Sequence, residues 1–234
     1  MTASLHLGIE RRMPRGVDRR VVRTYPTTTL RIAPKADDET PLEITCLGDV
    51  ADLDGLVITV LQHDAFTRMH LVHVNRLAAG WLPHLGFTSE EERVFIQAAL
   101  LHDAGKIIVD ERLILAEREL TPEEHEVVRK HVEYGVRLLL PYPRLQRTRE
   151  IVAQHHEWFD GNGYPAGLSG ESINPLARAL SVADAFSAMT LDRSYHRGVS
   201  REDALVELTR CAGTQFDPVY VKSFCKHLRE LERP

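Results

Sequence analysis

Apolar and polar positions along the chain change rhythm near residue 50. Before that point, three short runs have strand character: Val21-Val22-Arg23-Thr24-Tyr25, Thr28-Thr29-Leu30-Arg31-Ile32 and Leu42-Glu43-Ile44-Thr45-Cys46-Leu47. Pro26, Pro34 and Pro41 punctuate them. After it the signals turn helical and helix starts recur. Ser89-Glu90-Glu91-Glu92 has the form of a capping box, opening a helix whose apolar run over residues 94–101 ends at His102-Asp103. Thr121-Pro122-Glu123-Glu124 is a stronger start, with cap, proline at the first helical position and glutamate at the third. Asn174-Pro175, Ser200 and Asp217-Pro218 open three more. A glycine-rich loop over about residues 158–173 interrupts the series. The pattern predicts an all-α bundle of about seven or eight helices over residues 49–234. Residues 1–48 form an extension, either short strands or disordered.

Composition narrows the class. Of 234 residues, 43% are hydrophobic, enough for an ordinary globular core. The net charge of -5 gives no signal for binding DNA or RNA polymers. Arg11, Arg12, Arg15, Arg19, Arg20, Arg23, Arg31 and Lys35 make the extension locally basic, which reads as a solvated segment. Cys46, Cys211 and Cys225 form no CxxC pair and no even set, so neither a zinc ribbon nor a disulfide framework is expected. No signal-peptide core and no membrane-spanning run is visible, and a cytoplasmic, soluble protein is the expectation.

The chemistry sits on the helical stretches. An imidazole next to a carboxylate at the end of an apolar run is costly to bury unless something satisfies both. A divalent metal would do so. His70, His102, Asp103, His131, the pair His155-His156 and Asp184 together have the composition of a two-metal site. Imidazole and carboxylate ligands suit Fe, Mn, Zn, Ni or Co rather than Ca or Mg alone. Asp103, with two oxygens, is a natural bridge. Seven ligands leave positions open for water and substrate oxygens, the apparatus for in-line attack on a phosphodiester. A lone histidine is more often a surface or core residue, so His6, His63, His73, His84, His125, His196 and His227 stay unassigned.

Over about residues 60–225 the chain resembles the HD-GYP subgroup of the HD phosphohydrolases. Phe66-Thr67-Arg68-Met69-His70 is similar to the family's Y-T-x-x-H, and Leu100-Leu101-His102-Asp103-Ala104-Gly105-Lys106-Ile107 to its LLHDxGKI. Leu120-Thr121-Pro122-Glu123-Glu124, through His131 to Gly135, resembles LTxEE…H…G. The block from His155 to Pro165 resembles HHExxDGxGYP, and Val182-Ala183-Asp184-Ala185-Phe186 resembles VADxF. Asp192-Arg193-Ser194-Tyr195 is similar to DRPY and Phe216-Asp217-Pro218 to FDP. The resemblance implies hydrolysis of cyclic di-GMP to pGpG or GMP at a metal centre, commonly iron or manganese. It implies that His70, His102, Asp103 and Asp184 hold one metal and that His131, His155 and His156 complete a second, bridged by Asp103. Lys106 and Arg193 would contact substrate phosphates. Asp103 and Lys106 would be the catalytic pair. In the GYP loop, Asp160, Gly161, Gly163, Tyr164 and Pro165 would shape the substrate, Tyr164 by stacking or hydrogen bonding; the resemblance leaves open whether the loop would also dock GGDEF-type cyclases.

Four departures matter. Phe66 stands where trimetal members carry glutamate and cannot ligate, so two metals are expected. Ser187 replaces a frequent second aspartate, and Asp110 and Ala116 replace a proline and a lysine after the GKI segment. Alternatives to cyclic di-GMP hydrolysis are another cyclic dinucleotide or nucleotide as substrate, and a non-catalytic sensor or partner-binding module.

Overall fold

The computed structural model describes residues 27–32, 42–47, 54–192 and 197–231. Two strands, β1 (Thr27–Ile32) and β2 (Leu42–Leu47), pair antiparallel with Thr27 opposite Leu47 and Ile32 opposite Leu42. The extension thus carries a hairpin over two of its three strand-like runs. Residues 21–25 lie outside the described residues.

The rest is helical. The helices are α1 (Asp54–His63), α2 (Ala65–Trp81), α3 (Ser89–Leu101), α4 (Glu111–Ile114), α5 (Pro122–Arg129), α6 (His131–Leu139), α7 (Gln146–Gln154), α8 (Pro175–Thr190), α9 (Arg201–Arg210) and α10 (Pro218–Glu230). Strand β2 lies against α2 and α3, so the hairpin is attached to the bundle. The larger number of helices has two causes. Helix α4 is a single turn, and the helical run after Thr121 breaks at Lys130, which caps the end of α5 and the start of α6.

Most helix starts fall where the caps place them. Thr121, Asn174, Ser200 and Asp217 each accept a backbone N–H through the side chain. Helix α3 differs by one residue: its capping box is formed by Thr88 and Glu91, not by Ser89 and Glu92. Both spacings satisfy the motif. The buried ring of Phe87, edge-on to Phe95 at 5.6 Å, accompanies the earlier start.

The core consists of two buried clusters. One centres on Trp81, Phe95, Ile151, Leu180, Phe186 and Phe224, the other on Leu61, Leu71, Leu101, Leu139 and Val152. Helices α2, α3 and α7 contribute to both. His70 is on α2, and His102 and His155 cap the ends of α3 and α7, so these three histidines follow the seam between the clusters.

Candidate metal centre

Helix ends build most of the centre. His102, His131 and His155 share one device. Each Nδ1 lies within hydrogen-bond distance of the carbonyl oxygen three residues earlier: Ala99 at 3.2 Å, Val128 at 2.8 Å and Val152 at 2.8 Å. A carbonyl only accepts, so Nδ1 carries the proton and Nε2 keeps its lone pair. All three Nε2 atoms are buried with no hydrogen-bond partner. Each unmet buried acceptor costs about 1–3 kcal/mol, so three converging ones call for an electron-pair acceptor between them.

The carboxylates close the arrangement. Asp103 Oδ1 is 3.3 Å from His131 Nε2, while Oδ2 is 3.6 Å from His102 Nε2 and 3.8 Å from His70 Nε2. Asp184, in the middle of α8, places Oδ1 2.8 Å from His70 Nε2 and 3.6 Å from His102 Nε2. Candidate ligand atoms fall into two groups, Asp103 with His131, His155 and His156, and His70 with His102 and Asp184, each within 4.8 Å. Two bonds of about 2.1 Å at right angles hold ligand atoms ~3 Å apart, the scale of these separations. The residues therefore fit a divalent cation in each group, with the two Asp103 oxygens turned to different groups.

Electrostatics agree with that chemistry. Burial, reinforced by the neighbouring imidazoles, keeps His155 well below the usual histidine range. Burial also lowers His131, and His156 is pushed down to about 3. Burial alone would raise the Asp103 carboxyl, but Lys106 and the surrounding histidines outweigh it and hold Asp103 well below the ordinary value. Asp184 is lowered likewise, through His102 and His70 acting against burial. His102 moves the other way: Asp103 and Asp184 raise it against the effect of burial. Neutral His131, His155 and His156 beside ionised Asp103 and Asp184 are in the protonation states that ligands need.

The centre depends on a close approach. Lys106 lies in a 3-10 turn, Ala104–Ile108, and its Nζ is 2.6 Å from Asp103 Oδ2. That turn packs on α6 at Gly105, where a Cβ would meet the His131 carbonyl oxygen at 1.9 Å. Only glycine lets the Asp103 and His131 segments come together.

A family model described as HD domain matches residues 60–219. The chain belongs to the HD domain family. It is 34% identical to the cyclic di-GMP phosphodiesterase response regulator RpfG of Xanthomonas campestris pv. campestris, over 77% of this chain and 48% of that protein. It is 35% identical to the 3'3'-cGAMP-specific phosphodiesterase 2 of Vibrio cholerae, over 72% of this chain and 33% of that protein. The chain thus spans about half or less of the length of these curated relatives. Among solved structures, Bd1817, an HDG"Y"P protein from Bdellovibrio bacteriovorus, has a TM-score of 0.57 at 25% identity, covering 68% of this chain and 51% of that one. With the GYP block, these relationships put the chain in the HD-GYP branch.

All seven histidines and aspartates singled out in this HD-GYP chain converge, with Lys106 beside them. Arg193 lies outside the described residues. The ring of Tyr164 is engaged within the protein: it stacks on His156 at 4.8 Å, and the Arg129 guanidinium lies 4.9 Å from its centroid. Burial raises its hydroxyl above the usual tyrosine range. Phe66 stacks beside His70 with ring centroids 6.3 Å apart and offers no ligand atom.

Two residues have roles that the sequence reading did not assign. Ser187, fully buried on α8, places its hydroxyl 3.0 Å from His70 Nδ1 and 3.1 Å from His73 Nδ1. Because His70 Nε2 faces Asp103 and Asp184, Ser187 sits behind the ligand and orients its ring. Glu157 is buried and accepts the backbone N–H groups of Ala166 at 2.7 Å and Leu168 at 2.9 Å, anchoring the loop that carries Tyr164. A glutamate straight after two histidines reads as a ligand or a surface charge, and no spacing rule marks it as a loop anchor. In the same loop, a Cβ on Gly163 would lie 2.1 Å from the Trp158 nitrogen. Asp160 accepts from the Asn162 N–H, and its own N–H donates to the Thr214 carbonyl oxygen, which joins the loop to the turn before α10.

Proposed function

We propose that this chain is a metal-dependent phosphodiesterase that hydrolyses cyclic di-GMP to pGpG, to GMP or to both. The observation that carries the reading is the convergence of seven potential ligands with three buried, unpartnered Nε2 atoms and an ammonium 2.6 Å from the central carboxylate. His70, His102, Asp103 and Asp184 would hold one metal. His131, His155 and His156 would hold a second, with Asp103 shared. When bound, two divalent ions supply Lewis acidity and a nucleophilic water at neutral pH. Iron or manganese suits this nitrogen and oxygen donor set, as do Zn, Ni and Co.

The chain's own residues do the rest. Nδ1 contacts to backbone carbonyls hold three imidazoles in one tautomer before any ligand arrives. Lys106 is placed to bind a phosphate oxygen and offset charge that builds up as phosphorus is attacked. Arg193 is assigned the same task through the resemblance alone. Glu157 fixes the GYP loop, from which Tyr164 buttresses His156. Residues 49–234 form the catalytic domain under this reading, and residues 1–48 its extension. No described helix is long and apolar enough to cross a membrane. A cytoplasmic location and docking of a GGDEF-type cyclase on the GYP loop complete the proposal; pull-down with a purified cyclase tests the docking.

A second substrate, 3'3'-cGAMP, is favoured by the similarity to a Vibrio cholerae enzyme named for it. One experiment addresses both. The protein is loaded anaerobically with iron or manganese, metals per chain are counted, and products from cyclic di-GMP and 3'3'-cGAMP are resolved by chromatography. About two metals and faster turnover of cyclic di-GMP are expected. Turnover that survives His102→Ala combined with Asp103→Ala would refute the mechanism.

A further inference from the structure

A cavity of about 310 Å³ opens beside the metal centre, between α8, α9 and the turn that precedes α10. One end is lined by His155, His156 and Asp184. From Asp184 the wall runs along α8 through Ala188 to Met189. Five residues of helix cover ~7.5 Å, the scale of a ribose between its phosphate and its base. Alanine at 188 leaves the space open. The indole of Trp158, more than a third exposed, borders the cavity from the GYP loop. Glu207, Cys211 and Gln215 supply its polar edge.

We propose that this cavity is a nucleobase subsite, in which a guanine of the cyclic dinucleotide lies against Trp158 and Met189 and presents its edge to Glu207 and Gln215. The proposal rests on the phosphodiesterase reading above and adds to it the place and selectivity of base recognition. An indole and a thioether are suited to the flat, polarisable face of a purine. A carboxylate only accepts hydrogen bonds, and guanine carries adjacent donors at N1 and N2, whereas adenine has an acceptor at N1. Glu207 is kept ionised, its carboxyl lowered to about 2 by hydrogen bonds from Arg210 and Cys211. Those bonds also fix its direction: Oε1 accepts from both Arg210 and Cys211, while Oε2 accepts from Arg210 alone and retains accepting capacity. The amide of Gln215 provides both a donor and an acceptor.

Cys211 allows a test that does not depend on turnover. Metal-loaded protein is treated with iodoacetamide alone, with excess cyclic di-GMP, or with inorganic phosphate, and alkylation of Cys211 is followed by mass spectrometry. Cyclic di-GMP should slow the reaction about tenfold, and phosphate, which has no base, should leave it fast. In parallel, Ala188→Phe fills the cavity and Glu207→Gln changes its edge, with metal content and circular dichroism checking the fold. Ala188→Phe should lower turnover of cyclic di-GMP relative to bis(p-nitrophenyl) phosphate by about tenfold, mainly through KM. Glu207→Gln should reduce the preference for cyclic di-GMP over cyclic di-AMP. Equal alkylation rates with and without cyclic di-GMP, or parallel losses on both phosphodiesters, would overturn the subsite. If Cys211 is protected but no cyclic dinucleotide is hydrolysed, the subsite stands and the phosphodiesterase reading fails. If phosphodiesters are cleaved and Cys211 stays unprotected, the reverse holds.

Discussion

Ser187 holds a position at which the resemblance leads one to expect an aspartate, and its contacts show what a short hydroxyl does there. A carboxylate would accept from both His70 and His73. A hydroxyl accepts from one ring and donates to the other, so with Nδ1–H of His70 donating, Ser187 passes its proton towards His73 Nδ1. The serine is thus a support for His70 rather than a base facing substrate. Loss of such a support behind a metal ligand typically costs 10–100-fold in affinity. Ser187→Ala is therefore expected to weaken manganese binding about tenfold at the His70 group, read by competition with a fluorescent chelator, and Ser187→Asp to restore it. An unchanged affinity in Ser187→Ala would remove the orienting role. The role was not legible in sequence, because the residues it joins lie 117 and 114 positions away. His73 was set aside as a lone histidine, which is more often a surface or core residue.

Individual elements bring the ligands together through their ends. His102 and His155 cap α3 and α7, His131 starts α6, and only His70 and Asp184 stand inside helices. The break at Lys130 is part of this design, since an uninterrupted α5–α6 helix would not start a new turn at His131. Gly105 is the corresponding contact point. Gly105→Ala forces a Cβ against the His131 backbone, where nothing flexible can yield. It should destabilise the fold by about 1–3 kcal/mol in urea unfolding and lower the number of metals retained. Normal stability and full metal content in that variant would mean that the α6 contact is dispensable. Helix starts at Thr121, Asn174, Ser200 and Asp217 could be read locally, because a cap depends on residues within one turn. The Thr88 start of α3 could not be separated from Ser89, because tertiary packing of Phe87 accompanies the choice.

For the whole molecule, the site couples stability to metal and to pH. Metal that binds the native state alone adds RT ln(1 + [L]/Kd), about 2.7 kcal/mol at a hundredfold excess over Kd. Manganese should therefore raise the unfolding temperature by several degrees and a chelator should reverse it; an indifferent melting curve would count against the centre. In metal-free protein, His131, His155 and His156 have folded-state values below the unfolded value of about 6.5. The unfolded chain then binds more protons than the native one below that pH, so stability rises with pH. Their contribution is present above pH ~6.5 and is lost as pH falls toward the depressed values. His102, raised in the fold, contributes in the opposite sense, its stabilisation fading as pH rises through its folded value. His73 and His227 are lowered by burial as well, so with five described histidines against one, metal-free protein should unfold at a lower temperature at pH 5.5 than at pH 7.5, in a calorimetric scan. The reverse order would show that His102 dominates.

Much of this was decided by local chemistry and so was present in the sequence. Helix caps, the all-α class, the glycine-rich loop and the seven candidate ligands depend on residue type and short spacing. The tertiary structure alone decided the distances within the two ligand groups, the buttress of Tyr164 on His156 and the cavity leading away from Asp184. It also gave Ser187 and Glu157 their partners. These features arise where segments far apart in sequence are pressed together by burial of two apolar clusters. Contact across that distance leaves no periodic mark along the chain.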